Sequence, residues 1–286
     1  EGLSTATTAT VLDSRTGLIA SGDTVLLDGV GVVCDPVVET DVIVDGTNSL
    51  TVGTATAIAT YKLDDAFTNS AVGELADELS TDFDGTAYNV TSASATVNGR
   101  VTNVAVFNGT NSYVDISSLD IGLGDFTVSM WINISAHSSA RLLNIKSSNW
   151  AGVLDLMLQN NVFKARRGNA VSSESDILIY TASLNTGTWY HIALSREGDL
   201  TTLYIDGNNV DSESVPANAT AGANGFIGSY NTGLSEFFNG SIDQVRIFTT
   251  ALTETEVEAL YNEAKTEYQY DLTYPTQTAP TRIALA

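Results

Sequence analysis

Acidic residues supply most of the reactive side chains in this sequence, and they fall in short strings. Asp64-Asp65, Asp82-Phe-Asp84-Gly85 and Asp243 are of the type that holds calcium, a hard cation that gathers oxygens from carboxylates, amides and carbonyls. The same strings serve as turn punctuation, because Asp bonds its own backbone and Gly accepts positive φ. No EF-hand loop is present. Glu174-Ser-Asp176, just ahead of Ile177-Leu-Ile-Tyr180, comes nearest to the paired carboxylates that a retaining glycosidase sets about 5 Å apart. A carboxylate in a loop before a strand is ordinarily solvated, so this string reads first as surface.

Nucleophilic catalysis finds less support. His191 lies within an apolar strand pattern beside Trp189 and reads as a core or half-buried histidine bonding the backbone, and His137 sits in a Ser-rich loop without an evident partner. Carbohydrate contact is better provided for, since sugar sites pair an exposed ring with Asn, Asp and backbone groups. Trp150 in Ser147-Ser-Asn-Trp-Ala-Gly152 and Tyr230 with Asn231 in Gly228-Ser-Tyr-Asn231 are the candidate ligand-binding residues. Phe237-Phe238 comes next, while Trp131 and Trp189 alternate within strands and are expected in the core. Arg166-Arg167 is a basic doublet that reads as solvated or as facing an acidic neighbour.

These residues must be positioned by strands. Hydrophobic runs are short, alternate with polar residues, and are broken by Gly, Asn and Asp, which predicts an all-β, antiparallel architecture. Phe126, Val128, Met130 and Ile132 share one face of a strand, with Thr127, Ser129 and Trp131 on the other. Trp189–Leu194, Thr201–Ile205 and Ser241–Phe248 read as further strands, and Asp206-Gly207-Asn208 as a hairpin turn. Thr24–Leu27, Val30–Cys34 and Asp41–Val44 are short strand candidates near the start. One short C-terminal helix is expected: Thr253 and Glu256 form a capping box, Leu252 and Val257 a hydrophobic staple, and Val257, Leu260 and Tyr261 share a face. It is expected to cap an end or edge of the sandwich.

Composition narrows the partners. The chain has 286 residues, 12 Lys and Arg against 34 Asp and Glu, and a formal net charge of −22. Nucleic acid and anionic membranes are disfavoured, because both need clustered cations. With 16% charged residues, the surface must be finished by Thr, Ser, Asn, Ala and Gly, a composition that resembles extracellular or virion-surface proteins. The lone Cys34 leaves no intramolecular disulfide, and no Cys/His spacing suggests zinc. No apolar run reaches the length of a membrane span, and a soluble chain is expected.

A set of segments, taken in order, resembles the laminin G-like, or concanavalin A-like, jelly rolls. They are Ala59-Thr-Tyr-Lys-Leu-Asp-Asp65, Val106–Asp115, Phe126–Asn133, Gly187–Ala193, Leu203-Tyr-Ile-Asp-Gly207 and Asn239–Phe248 leading into Ala251–Tyr261. The resemblance implies two antiparallel sheets packed face to face, the first and last strands adjacent, and the helix after the last strand. The chain is read in three parts: a small N-terminal β or attachment segment over 1–57, the jelly roll over 58–264, and an extended tail over 265–286, the first and last lying outside the resemblance. Many relatives bind one calcium, and adjacency of the first and last strands would bring Asp64, Asp84 and Asp243 together as its ligands. The hydrolases of the fold carry a further Glu that the Glu174-Ser-Asp176 string lacks.

The Tyr61-Lys-Leu-Asp64 opening also resembles laminin G-like modules of bacteriophage virion proteins. The expectation is therefore a noncatalytic decoration or fibre protein on a virion surface, or an extracellular one, that touches a host glycan or receptor. Its terminal segments would join other subunits of a virion or surface assembly by strand exchange, and a homo-oligomer is expected. The alternatives are a secreted calcium-dependent lectin or adhesion module and, third, a glycoside hydrolase.

Overall fold

The computed structural model describes residues 24–27, 30–33, 42–44, 50–52, 55–63, 67, 83–117, 119, 121, 124–145, 154–159, 162–167, 176–180, 184–214, 225–230 and 235–263. Its strands in chain order are β1 (Thr24–Leu27), β2 (Val30–Val33), β3 (Val42–Val44), β4 (Leu50–Val52), β5 (Ala55–Tyr61), β6 (Thr86–Tyr88), β7 (Thr91–Val97), β8 (Arg100–Asn108), β9 (Tyr113–Asp115) and β10 (Phe126–Ile134). They continue as β11 (Ala140–Ile145), β12 (Leu154–Gln159), β13 (Val162–Arg167), β14 (Asp176–Tyr180), β15 (Trp189–Glu197), β16 (Leu200–Ile205), β17 (Asn208–Ser214), β18 (Gly225–Ile227) and β19 (Asn239–Phe248). The helix α1 (Glu254–Glu263) follows the last strand.

Two antiparallel sheets face each other. One has ten strands, running β17-β16-β15-β10-β19-β5-β4-β3, with β8 also on β19 and β7 on β8. The other has seven, in the order β14-β13-β12-β11-β18-β9-β6. β1 and β2 form a separate hairpin. The opening and closing strands meet, Tyr61 pairing with Val245 and Ala59 with Ile247. β3 and β4 continue the ten-stranded sheet through β5, and β5 spans residue 57.

Alternation along the strands builds the core. Phe126, Val128, Met130 and Ile132 enter it from β10, as the period-2 pattern predicts, and meet Leu143, Leu156, Phe163 and Ile227 from the opposite sheet. Trp131 points away from that core into a second cluster with Val97 and Val104, beneath the β7–β8 hairpin. The hairpin turns at Asn98-Gly99, both with positive φ, and the Asn98 amide donates to the Tyr261 carbonyl at 2.8 Å. A polar side chain thus takes one of the carbonyls that the end of α1 leaves without a helical partner.

The helix starts as its sequence requires. The Thr253 backbone N–H donates to Glu256 Oε2 at 2.7 Å and the Glu256 N–H to Thr253 Oγ1 at 3.4 Å. Leu252 and Val257 are both buried in one cluster, so the staple is made. α1 does not sit at an end or edge of the sandwich as expected. It lies across the outer face of the ten-stranded sheet, where the small side chains of Ala55, Ala57 and Ala193 leave room for Val257 and Leu260 between Tyr204 and Phe248. An ion pair between Arg246 and Glu263 ties its last turn to β19.

Candidate functional site

The seven-stranded sheet has one face in the core and one outside it. Ala87, Val114, Ile227, Leu143, Leu156 and Ala165 point inward, one from each of six neighbouring strands. Residues one step along therefore point outward. Register places Asp115, Phe226, Asn144 and Asp155 in a single row across that outer face.

Arg141 joins this row through a backbone irregularity. Arg141 and Asn144 are three residues apart and would face opposite ways on a regular strand, but the register of β11 against β12 shifts between Arg141 and Leu143. A bulge of this kind re-aims a side chain, and here it turns both residues outward. The Arg141 Nε lies 3.4 Å from Asp155 Oδ1, and its Nη1 meets the Glu236 carboxylate. The Asn144 amide donates to the same Asp155 oxygen. Arg141, Asn144 and Asp155 are all buried, so the ion pair is what makes the burial of Asp155 tolerable. Glu236 is more open, with 37% of its side chain exposed.

Tyr230 completes the cluster. The Arg141 guanidinium lies over its half-buried ring, 4.8 Å from the ring centre. The chain reaches this position by doubling back: the Gly228 N–H donates to the Leu142 carbonyl at 3.0 Å, and the Tyr230 N–H to the Ser235 carbonyl at 3.0 Å. Gly228 has φ +81°, and a Cβ there would stand 2.4 Å from the buried Phe107 ring. Only glycine fits.

Aromatic rings occupy the other end of the face. Tyr88 and Tyr113, directly paired across β6 and β9, stack with ring centres 4.5 Å apart and planes 13° apart. Phe226 and Tyr113 meet edge to face, their ring centres 6.2 Å apart. Asp115 accepts from the Ser117 N–H at 2.9 Å and from its hydroxyl. Burial, followed by the charges of Tyr88 and Asp115, pushes the Tyr113 phenol up, so it stays a hydrogen-bond donor. Rings beside fixed acceptors and donors can stack on a sugar and hydrogen-bond its hydroxyls.

The sandwich from the end of β8 through β19 and into α1 falls within a family match. The model of the concanavalin A-like lectin/glucanases superfamily matches residues 108–258, more than half of the chain. The chain belongs to this superfamily. No curated protein matches the sequence. Among solved structures, this concanavalin A-like chain superposes on domain 4 of AbnA, a GH43 extracellular arabinanase from Geobacillus stearothermophilus in complex with arabinotriose. The TM-score is 0.56 at 24% identity, covering 72% of this chain and 98% of that one. The binding domain of Paraclostridial Mosquitocidal Protein 1 gives a TM-score of 0.56 at 18% identity, covering 72% of this chain and 52% of that one. The botulinum neurotoxin type G receptor binding domain gives 0.55 at 14%, covering 72% and 51%. At these identities the likeness concerns the fold, and the concanavalin A-like chain spans about half of the two toxin domains.

Of the residues singled out in the sequence, Tyr230 falls in the Arg141 cluster. Trp150 and Asn231 lie outside the described residues, as do Asp64, Asp65, Asp82 and Glu174. Asp84 is half-buried just before β6 of one sheet, whereas Asp243 is buried within β19 of the other. Among the described residues, no three His, Cys, Asp or Glu side chains come together as a metal group. Carboxylates suit calcium by donor type, and Asp64 would have to complete any such set. Asp176 opens β14, paired in register with Arg166. His137 is exposed. Phe238 is buried in the core, and Trp189 is half-buried against the Trp131 cluster rather than in the main core.

His191 departs from the expectation of a ring bonded to the backbone. It lies opposite Trp131 in register, its ring 5.2 Å from the indole, and its Nδ1 has no hydrogen-bond partner among the described residues. Its backbone N–H, not its ring, meets the Asp206 carboxylate at 2.8 Å. Burial, with the charge of Arg246 adding to it, lowers its pKa to about 3. Arg141, Asn144, Asp155, Tyr88 and Tyr113 were not identified from sequence. The signal available was an arginine and an asparagine inside the otherwise apolar run Ala140-Arg-Leu-Leu-Asn-Ile145.

Proposed function

We propose that this chain is a noncatalytic, surface-exposed binding protein that presents the outer face of its seven-stranded sheet to a carbohydrate or a glycan-bearing receptor. The observation that carries the reading is the Arg141–Tyr230 pair, a half-buried ring braced by a guanidinium that Asp155 and Glu236 hold in place. In this reading Tyr230 stacks on a sugar ring, Glu236 accepts its hydroxyls, and Arg141 with Asp155 and Asn144 fixes the pair beneath. Asp155 and Glu236 both direct an oxygen to Arg141, an arrangement suited to positioning a ring rather than to flanking a scissile bond. The fold shared with an arabinanase domain bound to arabinotriose and with two toxin binding domains supports a binding role.

The proposed setting is a virion, as decoration or fibre, or a cell surface. The Tyr61-Lys-Leu-Asp64 opening and the acidic, Thr- and Ser-rich composition support it. Residues 1–57 and 265–286 are the proposed attachments to other subunits of the assembly and between copies of this chain. Trp150 and Asn231 are proposed as further contacts to the ligand. Calcium held by Asp64, Asp84 and Asp243 belongs to the proposal as a structural ion that braces the sandwich through oxygen ligation.

A printed glycan array tests the reading, with the purified protein, its Tyr230→Ala variant, and chelator in a parallel arm. Binding by the unmodified protein that Tyr230→Ala loses and chelator leaves in place is the expected result. A protein that binds no glycan in any arm overturns the reading.

A further inference from the structure

The Tyr88–Tyr113 stack stands apart from the Arg141 cluster and is not needed for the core. Ala87 and Val114 carry the core contacts of β6 and β9, while the two tyrosines point the other way. Tyr88 is 38% exposed, and among the described residues it is the aromatic with the greatest exposure. The two rings are stacked on parallel planes, so Tyr113 backs one face of Tyr88, and the exposed remainder of the Tyr88 ring, flanked by phenol and carboxylate oxygens, suits the ring face and hydroxyls of a sugar. From β6 to β11 the face crosses three strand spacings, about 14 Å in all. Phe226, Asn144 and Asp155 between them are buried, so the two ends are separate contact points, spaced for an oligosaccharide rather than a single ring.

The charges on the face decide which kind. Arg141 is offset by two carboxylates, Asp155 and Glu236. Lys164 donates to Gln159 at 2.9 Å on the far side of Asp155, and Asp115 lies beside the tyrosine stack. An anionic sugar at the stack would meet Asp115 and a chain of net charge −22. We propose that Tyr88, backed by Tyr113, forms a second stacking subsite, and that its ligand is an uncharged oligosaccharide that also reaches Tyr230. This inference rests on the binding role proposed above and adds to it a subsite and a ligand class.

The test uses a printed array carrying neutral, sialylated, sulfated and uronate-containing glycans, followed by calorimetry on the neutral glycan that binds best. Neutral glycans are expected to bind, and their acidic counterparts at least tenfold more weakly. Tyr88→Ala is expected to weaken binding about tenfold, the size of a lost aromatic stack. Thermal melting of Tyr88→Ala checks that the variant is folded. If Tyr88→Ala binds as the unmodified protein does while Tyr230→Ala does not, the second subsite is overturned and the binding role stands. Preference for acidic glycans overturns the ligand class alone, and absence of all binding overturns both.

Discussion

The guanidinium of Arg141 lies 4.8 Å above the ring centre of Tyr230 while its Nε faces Asp155 at 3.4 Å. One cation therefore neutralises a buried carboxylate and orients an aromatic ring. Removing one partner of a buried ion pair leaves the other uncompensated. Arg141→Met is expected to destabilise the protein by about 3 kcal/mol in urea unfolding. Arg141→Lys should recover part of this and still weaken glycan binding, because an ammonium cannot form a flat stack on the ring. A loss below about 0.5 kcal/mol for Arg141→Met, the range of ordinary surface substitutions, would contradict the bracing role.

Gly228 sets where Tyr230 stands. An alanine Cβ would enter the Phe107 ring at 2.4 Å in a left-handed backbone conformation. Gly228→Ala is expected to cost about 2 kcal/mol or more through core overpacking and strain, and to reduce glycan binding with it. Retained stability together with retained binding would show that the turn tolerates a side chain.

The pH dependence of stability should carry the signature of His191. Its folded pKa of about 3 lies below the ordinary 6.5, so the unfolded chain takes up a proton that the folded chain refuses. Its contribution is complete above about pH 6.5 and is lost as pH falls toward about 3, by up to about 1.4 kcal/mol per pH unit within that window. The groups facing it are Trp131 and Asp243 in its row, Arg246 on β19, and Tyr261 on α1, with Glu263 paired to Arg246. Unfolding free energies of the unmodified protein and His191→Phe, measured from pH 7 to pH 4, should diverge as pH falls, the variant having the shallower slope. Parallel curves would contradict the buried neutral histidine.

The capping box gives a smaller effect. Thr253→Ala removes the side-chain acceptor of the Glu256 N–H and is expected to cost about 1 kcal/mol. Thr253→Asp should cost little, because Asp caps as well. Thermal melts of both variants provide the comparison.

Much of the sandwich was legible because strand alternation records which face is buried. Phe126, Val128, Met130 and Ile132 against Trp131 is such a record, and the Thr253–Glu256 box is local chemistry that needs no tertiary partner. The position of α1 was not legible, because the trough it fills is made by Ala55, Ala57 and Ala193 on strands distant in sequence. The candidate site was legible only at Tyr230. Arg141 and Asn144 share a face because of a bulge, which period-2 counting passes over. Tyr88 and Tyr113 come together through pairing of β6 with β9 across 25 residues of sequence, a register that a single-strand reading does not contain.

Chemical-shift mapping by NMR with the neutral glycan that binds best tests the central claim most directly, because it reports where the ligand lies. The account predicts perturbed amides at Tyr88, Tyr113, Phe226, Asn144 and Tyr230, and unperturbed ones at Ala193 and Tyr204 beneath α1. Perturbations confined to the ten-stranded sheet, or to loops away from Tyr230, would contradict it.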